Sequence, residues 1–170
     1  GYQITVLGKT FIYPMGLYST KINSLCAIKI GSLVGLPNDP SNQGRALILM
    51  HNAGILKLKD PKNEFSTPSD IAENPYQLKF NPVEAAQLAR LVQDVDLVVI
   101  NNDFVKLAGL SDQQELFVET SENAKDYANV IAVREADLNK PELQSLKKIL
   151  NSPEITAITQ RLFGNAIPVW

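Results

Sequence analysis

Short apolar runs alternate along this chain with segments whose apolar positions recur at helical spacing. Runs of the first kind fit strands and the second kind amphipathic helices, and their alternation marks an α/β fold. Gln3–Leu7 and Thr10–Tyr13 read as strands. Ser32–Leu36 reads as a short apolar strand ended by Pro37. Asp39-Pro40 then offers a helix N-cap and a proline at the first helical position. Ala46, Leu49, Met50 and Ala53 follow on one helical face, and Gly54 suits the position just past a helix end. Leu56–Leu58 is a predicted strand, followed by the turn residues Lys59-Asp60-Pro61-Lys62-Asn63.

Further on, Ser69–Glu73 is expected to make one or two helical turns, stopped by Asn74-Pro75. Gln77–Phe80 reads as a strand, and Asn81-Pro82 as the opening of a helix that buries Val83, Ala86, Leu88 and Leu91. Asp96–Ile100 is nearly continuous in apolar residues, the pattern of a central parallel strand covered on both faces. Asn102–Ala108 is a predicted short helix closed by Gly109, and Leu116–Glu119 and Asn129–Arg134 are predicted strands. Pro141–Leu150 and a helix capped by Ser152-Pro153 and ended by Gly164 complete the chain. A sheet of this kind binds ligands outside the carboxyl ends of its strands. Two corners fit: the Pro37–Arg45 junction and Asn101-Asn102.

Composition narrows the function classes. The 170 residues are 45% hydrophobic, enough for a sizeable core, and formal net charge is -2. No basic cluster marks a nucleic-acid face; the longest cationic run, Lys147-Lys148, reads as a solvated helix face. No apolar stretch approaches the roughly 18 residues of a membrane span. One cysteine, Cys26, excludes an internal disulfide and speaks against a cysteine-based metal site. No phosphate loop, metal-ligand spacing or paired-carboxylate site stands out, so no cofactor is expected.

The chain resembles the NlpA/MetQ family of methionine-binding lipoproteins from about Leu7 to Trp170. The most specific piece is Pro37-Asn38-Asp39-Pro40-Ser41-Asn42-Gln43-Gly44-Arg45-Ala46-Leu47. Supporting pieces are Gly8-Lys9-Thr10, Tyr13-Pro14-Met15-Gly16-Leu17-Tyr18-Ser19, Glu84-Ala85-Ala86-Gln87-Leu88, Val99-Ile100-Asn101 and Tyr127-Ala128-Asn129-Val130-Ile131. Departures include Asn102-Asp103-Phe104, Ala128, Asn165-Ala166-Ile167 and Cys26, of which the first alters the rim of the expected pocket.

The resemblance implies an α/β fold of the type II periplasmic binding protein kind. It implies one complete lobe over residues 21–120, with residues 1–20 and 121–170 giving hinge strands and C-terminal helices of a second, incomplete lobe. Thr10–Ser19 and Asn129–Arg134 would be the hinge crossings. Gly1-Tyr2-Gln3 resembles the middle of family sequences, so the expectation is an N-terminally truncated fragment lacking an aromatic, His-containing lid. The implied role is the lipid-anchored, extracytoplasmic binding component of an ABC importer, carrying methionine to a membrane permease and its ATPase. An orphan or ligand-sensing module of the same fold is the alternative. An enzyme would need an acid-base pair at a strand end, and the corners offer none.

A free amino acid presents a carboxylate, an ammonium and a side chain, and a planar guanidinium suits the carboxylate. On chain position alone Arg45 reads as solvated or paired with Asp39 or Asp103; the resemblance implies that it clamps the ligand carboxylate. Asn101 lies at a strand's carboxyl end, where an amide can both donate and accept. Its bland reading is a turn, with Asn102 as the helix cap; the resemblance implies ligand contact. Asn129 reads as a strand-start amide, and the resemblance again implies contact. Tyr13 and Tyr18 are more often core than cleft, His51 reads as a surface or half-buried residue, and Asp94 and Asp96 as solvated. Apolar faces left without their natural sheet are expected to pair two copies of the chain.

Overall fold

A computed structural model describes residues 3–170. Gly1 and Tyr2, on which part of the truncation expectation rests, lie outside the described residues. In chain order the strands are β1 (Ile4–Lys9), β2 (Phe11–Ile12), β3 (Gly16–Tyr18) and β4 (Leu33–Pro37), followed by helix α1 (Pro40–Asn52). Next come β5 (Lys57–Leu58), β6 (Ile71–Glu73), β7 (Lys79–Val83), α2 (Ala85–Leu91), β8 (Leu97–Ile100), α3 (Asn102–Val105) and β9 (Glu115–Val118). The chain finishes with α4 (Ser121–Ala124), β10 (Val130–Arg134), α5 (Pro141–Leu150), α6 (Pro153–Phe163) and β11 (Ile167–Pro168).

Contacts divide the chain into two compact units, Met15–Glu119 and a second drawn from residues up to Pro14 and from Thr120–Trp170. The Met15–Glu119 unit is built on one five-stranded sheet in the order β7-β4-β8-β3-β9. β8 is its central strand and all four residues are buried, as its apolar run predicts. The sheet is mixed rather than wholly parallel. β4 runs parallel to β7 and β8, whereas β3 runs antiparallel to β8 and β9. The carboxyl ends of β4, β7, β8 and β9 therefore share one edge of the sheet with the start of β3.

Two apolar clusters fill this unit. One centres on Met15, Leu17, Leu36, Leu47, Met50 and Leu97, and the other on Leu88, Val92, Val98 and Ile100. α1 supplies the first through the helical stripe Ala46, Leu49, Met50, begun by Asp39 as N-cap and Pro40 at the first position. Each large side chain removed from water here contributes roughly 1.5–3 kcal/mol. Gly44 is needed on α1 because a Cβ there would collide with the Glu64 carbonyl of the loop packed across the helix.

Two local expectations are corrected. Asn81-Pro82 does not open a helix; both belong to β7, paired along Leu33↔Lys79 to Pro37↔Val83, and α2 begins only at Ala85. Proline is tolerated because β7 is an edge strand, where its missing N–H costs no ladder bond. Within Ser69–Glu73, helical geometry stops at Asp70; Ile71–Glu73 pairs with β5 as a strand, which gives its backbone groups partners. Gly16–Tyr18, the last part of the Thr10–Ser19 segment, forms a buried inner strand of the sheet.

In the second unit β1 pairs antiparallel with β10, with an irregularity between Val6 and Gly8, and β2 pairs antiparallel with β11. Phe11 meets Trp170 edge-on at 5.0 Å between ring centroids, and Tyr13 meets Phe163 at 5.4 Å. α5 and α6 are strongly amphipathic, yet Leu146, Ile149, Ile158 and Leu162 are exposed. Tyr18, in contrast, is core, buried in the sheet with its hydroxyl donating to Glu115 at 3.3 Å. Burial, then the Glu115 charge, pushes the Tyr18 phenol well above its ordinary range.

Candidate functional site: one edge of the five-stranded sheet

Three chain corners converge where strands of the Met15–Glu119 unit end. After β4, Asp39 begins α1: its carboxylate accepts the Asn42 backbone N–H at 3.0 Å, satisfying one of the helix's open donors. Asn42 and Arg45 stand one helical turn apart on α1, so they share a face. After β8 comes Asn101, and after β9 comes Glu119.

Arg45 is buried, and its partner is neither Asp39 nor Asp103. Its Nε donates to Glu119 Oε1 at 2.8 Å and its Nη2 to Glu119 Oε2 at 2.6 Å, a two-pronged pair. Glu119 Oε2 also accepts the Met15 backbone N–H at 2.7 Å, tying the start of β3 to the end of β9. Both side chains are less than a tenth exposed. Glu119 engages the Nε/Nη2 edge of the guanidinium.

Asn101, not Asn102, occupies the N-cap position of α3, but its side chain makes no cap bond. Its Nδ2 instead donates to Asn42 Oδ1 at 2.9 Å, while its Oδ1 is buried without a hydrogen-bond partner among the described residues. Buried acceptors left this way are rare in folded proteins. Asn42 Nδ2 in turn donates to both Asp39 carboxylate oxygens, at 3.2 and 3.1 Å.

Asn129 belongs to the second unit and is exposed there. Its backbone N–H donates to Phe11 and its carbonyl accepts from Thr10, extending the pairing ahead of β10. The structure thus brings Arg45 and Asn101 to one sheet edge and holds Asn129 in the other unit. Elsewhere, an open groove of about 580 Å³ in the second unit is lined by Ile4, Ala132, Val133, Arg134, Asp137 and Leu143, none of them an expected site residue.

Sequence reasoning missed Glu119 and Asn42. Glu119 had a signal: it is an acid directly after an apolar strand run, a third carboxyl-end corner. Asp96 was expected to be solvated. It is partly exposed, but its carboxylate accepts the Leu33 N–H at 2.8 Å and meets Lys21 at 3.2 Å. Those contacts hold it below the usual aspartate range, the Leu33 bond being the larger cause. His51 is half-buried as expected, its Nδ1 accepting from the Leu58 N–H. Chemically, the edge offers a preoriented cation and a bare amide acceptor. Among the described residues no group of His, Cys, Asp and Glu is arranged to hold a metal ion.

These features define the class: the chain has the α/β fold of periplasmic substrate-binding proteins. It aligns over 99% of its length, at 45% identity and TM-score 0.87, with 71% of a periplasmic substrate-binding protein of an ABC transporter from Coxiella burnetii. It also aligns over its whole length, at 38% identity and TM-score 0.89, with 72% of a nutrient-binding protein from Burkholderia cenocepacia solved bound to methionine. The NlpA lipoprotein family matches residues 1–170, and the chain belongs to that family. It is 38% identical over 172 residues to outer membrane lipoprotein 2 of Mannheimia haemolytica and 38% identical over 174 residues to the D-methionine-binding lipoprotein MetQ of Salmonella typhi. Each alignment takes in the whole chain, which spans 62% and 64% of those two relatives.

Proposed function

We propose that the protein carrying this chain is the extracytoplasmic, lipid-anchored binding component of an ABC importer, which takes up methionine and delivers it to a membrane permease served by an ATPase. The single observation that supports this best is the sheet edge where Arg45, held by Glu119, stands one helical turn from Asn42, and Asn42 holds Asn101 with its bare Oδ1. A cation for a carboxylate and an acceptor for an ammonium are what an amino-acid zwitterion needs. A relative named for D-methionine binding and a nutrient-binding protein solved with methionine bound support methionine as the ligand.

In this reading Arg45 clamps the ligand carboxylate, Asn101 accepts from its ammonium, and Asn129 is a further ligand contact. Residues 21–120 act as a complete type II lobe, a division to which the compact Met15–Glu119 unit lends support. No turnover of methionine accompanies binding. The lipid anchor of this reading is supported by relatives named as lipoproteins; separately, no helix among the described residues is long and apolar enough to cross a membrane. Expressed alone, these 170 residues pair with a second copy.

Calorimetry with L-methionine tests the reading in the full-length protein. Arg45→Ala is expected to weaken binding by about 1.5–3 kcal/mol, the value of a charge-assisted hydrogen bond. Affinity equal to that of the unaltered protein would remove the clamp role.

A further inference from the structure

We infer that Asp39 and Asn42 are positioning residues that fix which atom of Asn101 faces the ligand, and through it make the site select for an α-ammonium group. The inference rests on the amino-acid-binding reading above. An amide presents an oxygen that accepts and a nitrogen that donates, and turning it over exchanges the two. Three side chains in series remove that ambiguity here. An ionised carboxylate only accepts, so Asp39 admits only the Nδ2 end of Asn42, which donates to both of its oxygens at 3.2 and 3.1 Å. Asn42 must then turn its Oδ1 toward Asn101. That oxygen accepts only the Nδ2 of Asn101, at 2.9 Å.

Asn101 is left presenting Oδ1, the buried atom that has no hydrogen-bond partner among the described residues. A donor must meet it, and a zwitterionic amino acid carries one donor group, its ammonium. The series therefore transmits the polarity of one carboxylate across two amides to the ligand. It does so without placing the Asp39 charge against the ligand, which would hold a cation whatever its geometry. Asp39 is itself anchored as the N-cap of α1, and α1 also carries Arg45. Carboxylate clamp and ammonium acceptor are thus set by one rigid element, a requirement for discriminating groups that differ by a single substituent.

The test compares L-methionine with its des-amino analogue, the methylthio-butanoate that keeps the carboxylate and thioether. Asp39→Asn keeps a good helix cap but lets position 39 donate, so the series can reverse and Asn101 can present Nδ2. Asn42→Leu removes the link while keeping the Asp39 charge. In the full-length protein both variants are expected to bind methionine on the order of tenfold more weakly. Both should hold the des-amino analogue within about twofold of the unaltered protein, at an unchanged melting temperature. Equal loss for both ligands, or methionine affinity unchanged in both variants, overturns the positioning role while leaving the amino-acid reading intact. Loss confined to Asp39→Asn assigns the effect to charge rather than to orientation and also overturns it. An unaltered protein that retains no methionine brings down the reading and this inference together.

Discussion

The two units of this chain differ in how they cover their own apolar surface. Both apolar clusters described above lie wholly within Met15–Glu119. There α1 and the five-stranded sheet leave Leu36, Leu47 and Leu97 with no exposed surface. The second unit has helices of clearer amphipathic pattern, yet Ile4, Val6, Leu146, Ile149, Ile158 and Leu162 face solvent. Amphipathic periodicity therefore forecasts that a face is meant to be covered, not that residues nearby in the chain cover it.

The comparison is sharpest where burial carries charge. Glu119→Ala leaves Arg45 buried without its carboxylate and is expected to destabilise the Met15–Glu119 unit by about 3–5 kcal/mol, read as a lowered urea midpoint by circular dichroism. Trp170, the chain's single tryptophan, packs on Phe11 in the other unit. Its fluorescence reports that unit separately, and a matching shift there would mean that the two unfold together. Leu47→Ala removes a fully buried side chain beneath the sheet, with an expected loss of about 3 kcal/mol; a change under about 1 kcal/mol would show that this core collapses around the gap.

Asp96→Ala is expected to cost less, about 1 kcal/mol, because its carboxylate is partly exposed while it holds the start of β4. The deficit should depend on pH. A carboxylate whose pKa is lowered by folding adds stability above its unfolded-state pKa and loses it as pH falls toward the folded value. Variant and unaltered protein should therefore differ at neutral pH and converge in acid; a gap that persists in acid would assign the effect to packing. The smallest effect on folding is expected for Ile149→Lys, within about 0.5 kcal/mol. Its consequence should appear in sedimentation of the 170-residue chain, as a lower fraction of paired copies. A chain that sediments as a monomer with or without the substitution would erase the contrast between the units.

Much of the fold was legible in the residues. Asp39-Pro40 announced α1, and the apolar run ending at Ile100 announced the central strand, because caps and burial act locally. Pro82 misled: proline usually opens helices, and nothing local reveals that Lys79–Val83 would form an edge strand against β4. Gly16–Tyr18 was too short to announce a strand, since its pairing comes entirely from β8 and β9. In the candidate site, Arg45 and Asn101 were visible as strand-end corners. Glu119 and Asn42 were not, because pairing across 74 positions and an amide orientation set by a carboxylate are facts of the folded arrangement.

β3 has a consequence for timing during synthesis. Gly16–Tyr18 leaves the ribosome well before the two strands that flank it, β8 and β9. The bond from the Met15 N–H to Glu119 spans 104 positions. The sheet cannot close around its second innermost strand until nearly all of the unit has emerged. Loops this long close slowly, and the segments already made must wait with unpaired edges. The Met15–Glu119 unit should thus fold in a single late step, and a nascent chain stalled short of Glu119 should remain a substrate for chaperones.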